Sequence, residues 1–193
     1  TDKNIELRWF TPSEEVNLCG HATLAAAYVL YEYGHFSAPR AIFDTKSGQL
    51  VVTKIDAGFS MDFPASMPQL VEPPAALSLG LGKIKAQTIL AGFDYVVVLD
   101  SVEEVIDLNP DFSQWLNLDL RGVVVTAKGT DVDFVSRCFF PKLSVNEDPV
   151  TGSAHCELAP YWGQRLGLSV LCGRQRSQRR VLVHCKLVED RVI

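Results

Sequence analysis

No stretch of the 193-residue sequence is apolar for long enough to cross a membrane as a helix, and no basic segment followed by an apolar one opens it. A membrane partner and a secretory leader are therefore not expected. Positive charge is not in excess either: the formal net charge is -5, so no global field draws nucleic acid or anionic lipid. The one basic concentration, residues 174–180, reads as a solvated strand or loop face. Paired CxxC units are missing, and the five cysteines are irregularly spaced. That argues against a disulfide scaffold and for reducing, cytoplasmic surroundings. Metal-ligand spacing is lacking too. His155 and Cys156 are adjacent, and Cys19-x-His21 is too tight for a helical pair, so no metal is expected. "TGSAH" is not a G-x-S-x-G elbow, which disfavours a serine hydrolase. With 47% apolar and 21% charged residues, the chain carries an ordinary core and no sign of disorder.

What the chain does contain is a repeat of itself. "RWFTPSEEVNLCGHA" begins at Arg8, and "RCFFPKLSVNEDPVTGSAH" begins at Arg137. Arg8, Phe10 and Pro12 correspond to Arg137, Phe139 and Pro141 at one constant offset. Glu15, Gly20 and Ala22 correspond to Glu147, Gly152 and Ala154 at an offset three residues longer. One short insertion reconciles the two blocks, and the order and chemistry of the residues indicate an internal duplication.

Each copy reads as an extended segment, a Pro-containing polar loop, a small-residue turn and a helix. The extended segments are 5–10 and 132–140, rich in branched and aromatic residues. The helices are expected at Gly20–Tyr33, stopped by Gly34, and at Gly152–Leu166, stopped by Gly167, with Pro160 as a point that can kink the second. Both look apolar all round, which implies burial on most sides. Strands are expected at 41–45, 50–55, 59–63, 87–90, 95–99, 122–127 and 181–187, with turns at Ser47-Gly48 and Ala57-Gly58. The run from Ser101 to Glu104 is a capping box for a short helix. Hairpins between two long helices give an α+β class: two similar lobes, each a curved sheet around a central helix. The Pro-rich stretch 63–74 joins them, so the lobes are placed at 1–66 and 73–193. If the halves are true duplicates, roughly 60 residues of the first lobe are expected before Thr1, leaving that lobe incomplete.

The duplicated turns are the candidate site. A helix N-terminus presents unpaired N–H groups and a partial positive charge, which suit a carboxylate or a developing oxyanion. Two such termini facing one cleft, with Cys19 and His21 on one side and Asp148, Thr151 and Ser153 on the other, suit a small acidic substrate. His21 transfers protons near neutral pH. Read alone, Cys19 is more often a small buried hydrophobe than a nucleophile. His35 and His184 carry no role, and Trp9, Trp115 and Trp162 read as packing.

"RWFTPSEEVNLCGHATLAAAYVL" and "EDPVTGSAH" resemble the phenazine-biosynthesis PhzF-like family, relatives of diaminopimelate epimerase. The resemblance implies two lobes with the active site between them and a cofactor-free proton shift on a small carboxylate or amino acid. It also implies catalytic roles for His21, Asp148 and Ser153, and substrate contacts from Gly20, Thr23, Thr151 and Gly152. The family's acid/base glutamate is expected upstream of Thr1. The related epimerases use a thiol from each half, whereas Cys19 here is matched by Thr151. The family's Gly-Gly near the C-terminus is replaced by "SQRRVLV", and its final strand is expected after Ile193. The reading is a cytoplasmic isomerase or epimerase, able to form a homodimer and needing no cofactor. The alternative is an inactive dimerising interaction protein that keeps the fold.

Overall fold

The computed structural model describes residues 4–10, 15–16, 18–34, 36–56 and 58–193. Along the first part of the chain run β1 (Ile5–Glu6), β2 (Trp9–Phe10), β3 (Glu15–Val16), α1 (Gly20–Tyr33), β4 (Arg40–Thr45), β5 (Gly48–Ile55) and β6 (Gly58–Pro64). Then come β7 (Gln69–Leu70), α2 (Ala75–Gly80), β8 (Thr88–Ala91), β9 (Tyr95–Val98), α3 (Val102–Asp107) and α4 (Phe112–Trp115). The last part holds β10 (Val123–Lys128), β11 (Phe134–Phe140), β12 (Val145–Asp148), α5 (Gly152–Leu166), β13 (Val170–Gln175), β14 (Val181–Val188) and β15 (Arg191–Val192). The α+β class and the two long helices are as expected, and both helices keep the bounds read from the glycines. Gly167 ends α5 in the left-handed conformation, φ 70°. Gly34 ends α1 at φ -90°, and what requires glycine there is space: a Cβ would lie 2.8 Å from the Leu30 carbonyl oxygen.

Among the described residues the strands form a 13-stranded sheet in the order β1-β4-β5-β6-β15-β14-β13-β11-β10-β9-β8-β7, with β12 on β11, and a separate β2–β3 hairpin. The expected extended segment 5–10 is therefore broken: β1 joins β4 while β2 leaves to pair with β3. Three pairings, β1–β4, β9–β10 and β11–β13, are parallel, so hairpins are not the whole story. The chain's last strand, β15, pairs with β6, joining the sheet of one lobe to that of the other.

The two lobes bury their sheets differently. In the second, the strands β9, β10 and β11 are buried on both faces, as parallel-rich sheets are. Alternate residues go to opposite layers. Val97, Val123, Val125, Val135 and Phe139 pack with Leu77, Val105 and Trp115 of α2, α3 and α4. Val96, Val98, Val124, Phe134 and Cys138 pack with Ala154, Leu158 and Trp162 of α5. The outer helical layer of α2, α3 and α4 is an addition to the expected sheet around one helix. In the first lobe β4 and β5 alternate, turning Ala41, Phe43, Leu50 and Val52 toward α1.

The expectation that both helices are buried on most sides holds only for α5, where residues 153–163 are all buried. In α1 only Gly20, Thr23 and Ala27 are buried, while Val29 is 53% and Tyr33 73% exposed. The reason is coverage: α1 lies on one sheet face, and no described residue covers its far side. The turn at Gly48 has φ 92° and Gly58 has φ 134°; Ala57, like Pro12 and His35, lies outside the described residues.

Candidate active site

The duplication reaches individual side chains. Arg8 pairs with Glu15 through Nε–Oε1 at 2.8 Å and Nη2–Oε2 at 3.0 Å. Arg137 pairs with Glu147 in the same two-pronged way, at 2.9 Å for both. Each guanidinium also lies over the ring two residues on, Arg8 over Phe10 at 5.1 Å and Arg137 over Phe139 at 4.9 Å. These clamps brace the extended segments that lead to the two helices. Arg137 does more: Nη1 donates to the carbonyls of Val105, Ile106 and Leu108 at the end of α3, where the helix dipole favours a cation.

Both helices open alike. The residues before them, Cys19 at φ -144° and ψ 97° and Thr151 at φ -121° and ψ 93°, are extended and neither caps its helix by a side-chain bond. The first N–H groups are thus left for another acceptor. Gly20 and Gly152 meet: a Cβ on Gly20 would lie 3.5 Å from the Gly152 Cα, and one on Gly152 3.6 Å from the Gly20 Cα. A methyl on either glycine would rest in contact with the other helix. A cleft of about 1180 Å³ lies over this junction, lined by Cys19, Gly20 and His21 from one half and Asp148, Thr151, Gly152 and Ser153 from the other.

The loop before α5 is held from behind. Gln175 Nε2 donates to the Asp148 carbonyl at 2.6 Å, Ser177 Oγ to that of Pro149 at 2.6 Å, His21 Nδ1 to that of Val150 at 3.3 Å and His155 Nδ1 to that of Thr151 at 2.8 Å. Four consecutive carbonyls are bound by side chains. Gln175 Oε1 also accepts from the Thr151 N–H at 2.8 Å. Gln175 and Ser177 lie in the basic run expected to be a solvated face, and for these two residues that expectation fails. Both are buried: Gln175 because β13 alternates and turns it under the loop, and Ser177, two residues past the end of that strand, because its hydroxyl reaches the Pro149 carbonyl. The period-two pattern was the available signal.

His21 and Cys19 form a pair, Nε2 to Sγ at 3.5 Å. Because a carbonyl only accepts, the Val150 contact places a proton on Nδ1. The contact with the thiol raises the His21 pKa to about 9 against the opposing effect of burial, with smaller help from the charge of Asp148 and the Val150 carbonyl. Burial pushes the Cys19 thiol up, but the imidazole and the N–H of Ala22 outweigh it and the pKa falls. The arrangement favours a thiolate–imidazolium pair. Thr151, which precedes α5 as Cys19 precedes α1, donates its hydroxyl to Asp148 Oδ2 at 2.5 Å.

Of the residues named from the sequence, Gly20, His21, Asp148, Thr151, Gly152 and Ser153 line this one cleft. Thr23 does not. It is fully buried one turn into α1, where its hydroxyl donates to the Cys19 carbonyl at 2.8 Å. Arg121, which no motif flagged, does line the cleft and donates to Ser153 Oγ at 2.7 Å. Among the described residues no group of His, Cys, Asp and Glu is arranged to hold a metal ion, and no helix is long and apolar enough to cross a membrane.

Residues 1–183 match the family model described as phenazine biosynthesis-like protein. The chain belongs to the phenazine biosynthesis-like family. A relative named an uncharacterised isomerase, from Halalkalibacterium halodurans, is 47% identical over 193 residues, covering 96% of this chain and 72% of its own length. A crystal structure of a PhzF-family protein from Enterococcus faecalis superposes with a TM-score of 0.90 at 46% identity, covering 97% of this chain and 72% of that one. A structure described as a predicted epimerase, from Pseudomonas aeruginosa, shares the fold at a TM-score of 0.61 and 20% identity, covering 97% of this chain and 74% of that one. For this family member the α+β architecture of two lobes, each with a sheet around a central helix, is thereby shared with solved relatives.

Proposed function

We propose that the protein is an isomerase or epimerase that works by proton transfer, without a cofactor, on a small carboxylate or amino acid bound between its lobes. The observation that carries this reading is the meeting of two uncapped helix N-termini at Gly20 and Gly152, with His21 on one side and Asp148 and Ser153 on the other. Negative charge forming on a substrate there faces preorganised N–H donors in a site already built, so little reorganisation opposes the reaction. His21, oriented by the Val150 carbonyl at Nδ1 and cationic near neutral pH, protonates or orients the substrate through Nε2, and Asp148 holds an amine or the imidazolium. The relatives named isomerases support the reaction class.

The test is solvent-deuterium incorporation into a panel of small cyclic and aliphatic carboxylates and amino acids, followed by NMR. Exchange at a carbon next to a carboxylate, catalysed by the protein and lost in His21→Ala, is the expected result. A panel that binds without exchange in any member would set the proton-transfer reading aside.

A further inference from the structure

Arg121 and Asp94 belong to neither matched block of the repeat, yet Arg121 reaches the cleft wall and Asp94 lies buried behind it. Asp94 is fully buried, and both its oxygens accept from one guanidinium, Nε–Oδ1 at 2.8 Å and Nη2–Oδ2 at 2.8 Å. The other Nη2 proton goes to Ser153 Oγ at 2.7 Å. Phe140 closes the remaining side, its ring centre 5.4 Å from the guanidinium carbon. Arg121 is therefore fixed in direction by a planar two-pronged pair, which a lysine cannot reproduce.

Hydrogen-bond polarity then sets the direction of the serine. A guanidinium has only donors, so Ser153 Oγ accepts from it, and the serine's own proton must go elsewhere. Among the described residues no acceptor takes that proton, and Ser153 lines the cleft in the first turn of α5. A serine free to rotate offers either a lone pair or a proton. This one has its lone pair engaged by a cation, which leaves its proton for whatever occupies the cleft.

We propose that Asp94 and Arg121 are positioning residues that make Ser153 a fixed hydrogen-bond donor to an anionic ligand, so that the site selects a carboxylate over its neutral isostere. This rests on the reading of the cleft as a carboxylate site and deepens it. Arg121 acts through Ser153; the serine touches the ligand. The neighbouring Glu157 is fully buried, with Oε1 accepting from the Phe93 N–H at 2.7 Å and Oε2 lacking a partner among the described residues.

The experiment titrates the whole chain with benzoate and, separately, benzamide by NMR or calorimetry. The variants are Ser153→Ala, Arg121→Lys and the two combined. A second set carries Asp94→Asn with Arg121→Gln, which leaves no bare carboxylate buried should Arg121→Lys fail to fold. Each single change is expected to weaken benzoate about 10-fold, as loss of a bond to a charged group does, and to leave benzamide unchanged. The combined variant is expected to bind benzoate no more weakly than Ser153→Ala alone. Additive losses would mean that Arg121 contacts the ligand itself, and undiminished benzoate binding in Arg121→Lys would mean that it positions nothing; either overturns the proposal. Equal weakening of benzamide would reduce Arg121 to a structural support and overturn it too. A wild type that binds no benzoate removes the carboxylate reading, and the proposal falls with it.

Discussion

Cys19 offers its thiol to His21 across 3.5 Å, and neither group keeps its ordinary acidity. Against the effect of burial, the hydrogen bond between them, helped by their opposite charges in the ion-paired form, lowers the thiol pKa and raises that of the imidazole to about 9. Alkylation of Cys19 by iodoacetamide, followed by mass spectrometry of its peptide, should persist to lower pH than that of an ordinary thiol. His21→Ala should move the midpoint up, because the stabilising cation is gone; an unmoved midpoint would deny the pairing. Catalysis should divide differently. His21→Ala and Asp148→Ala should each cost at least about 100-fold in deuterium exchange, the usual scale for a general acid or base. Cys19→Ala should cost far less, since Thr151 stands at the matching position of the other half and bonds to Asp148. Abolished exchange in Cys19→Ala with intact exchange in His21→Ala would transfer the chemistry to the thiol. That His21, Asp148 and Ser153 lie in one cleft was legible because they stand close to the repeated glycines Gly20 and Gly152. Arg121 and Gln175 were not, since a single Arg before a strand and a Gln within an Arg-rich run carry no local mark of what they touch.

Helix α5 runs through Pro160, which removes the N–H that would bond to the Cys156 carbonyl. That carbonyl accepts instead from Ser66, at 2.8 Å, in the segment that joins the lobes. The proline thus frees an acceptor for the inter-lobe connection. In Pro160→Ala the restored N–H competes with Ser66, so amide exchange at Ser66 should quicken while global stability shifts by only about 1 kcal/mol, a helix bond gained against a tether loosened. Unchanged protection at Ser66 would deny the link. The short helix α3 followed its capping signal closely: Ser101 Oγ accepts from the Glu104 N–H at 3.1 Å, and Glu104 Oε2 accepts from the Asp100 N–H at 3.0 Å. By contrast α2 and the strands β3, β7, β12, β13 and β15 carry no comparable mark in the sequence. The strands are short or flanked by charge, and the partner strand beside each in the sheet, rather than local propensity, makes them.

Across the whole molecule, two buried groups should pull stability in opposite directions with pH. Burial, with the charge of Asp94, raises Glu157 from 4.5 to about 7. The unfolded chain then loses its proton first, and this contribution, complete below pH 4.5, declines as pH rises to about 7. Burial lowers His155 from 6.5, so the unfolded chain takes up its proton first and that contribution declines as pH falls below 6.5. Glu157→Gln removes the first dependence alone. The stability of the wild type relative to this variant, read from urea unfolding at a series of pH values, should shrink by about 3 kcal/mol between the acid end and neutrality. A difference that stays flat or grows with pH would show that Glu157 is ionised when folded.

The repeat, the bounds of α1 and α5 and the capping of α3 were written in the order of residues, because each depends on neighbours a few positions apart. So was the pairing of like residues between halves, which the Arg8–Glu15 and Arg137–Glu147 clamps bear out in atomic detail. Three things were decided only by the fold. The glycines of two helices come within a methyl's reach, β15 crosses to the edge of β6, and Asp94, Arg121 and Ser153 line up from behind the cleft to its wall. The one-sided burial of α1 is of the same kind, for an all-apolar helix states only that it can be covered, not by what. Each of these unites residues far apart in the chain, and no local pattern encodes a contact whose partner is chosen by how whole sheets stack.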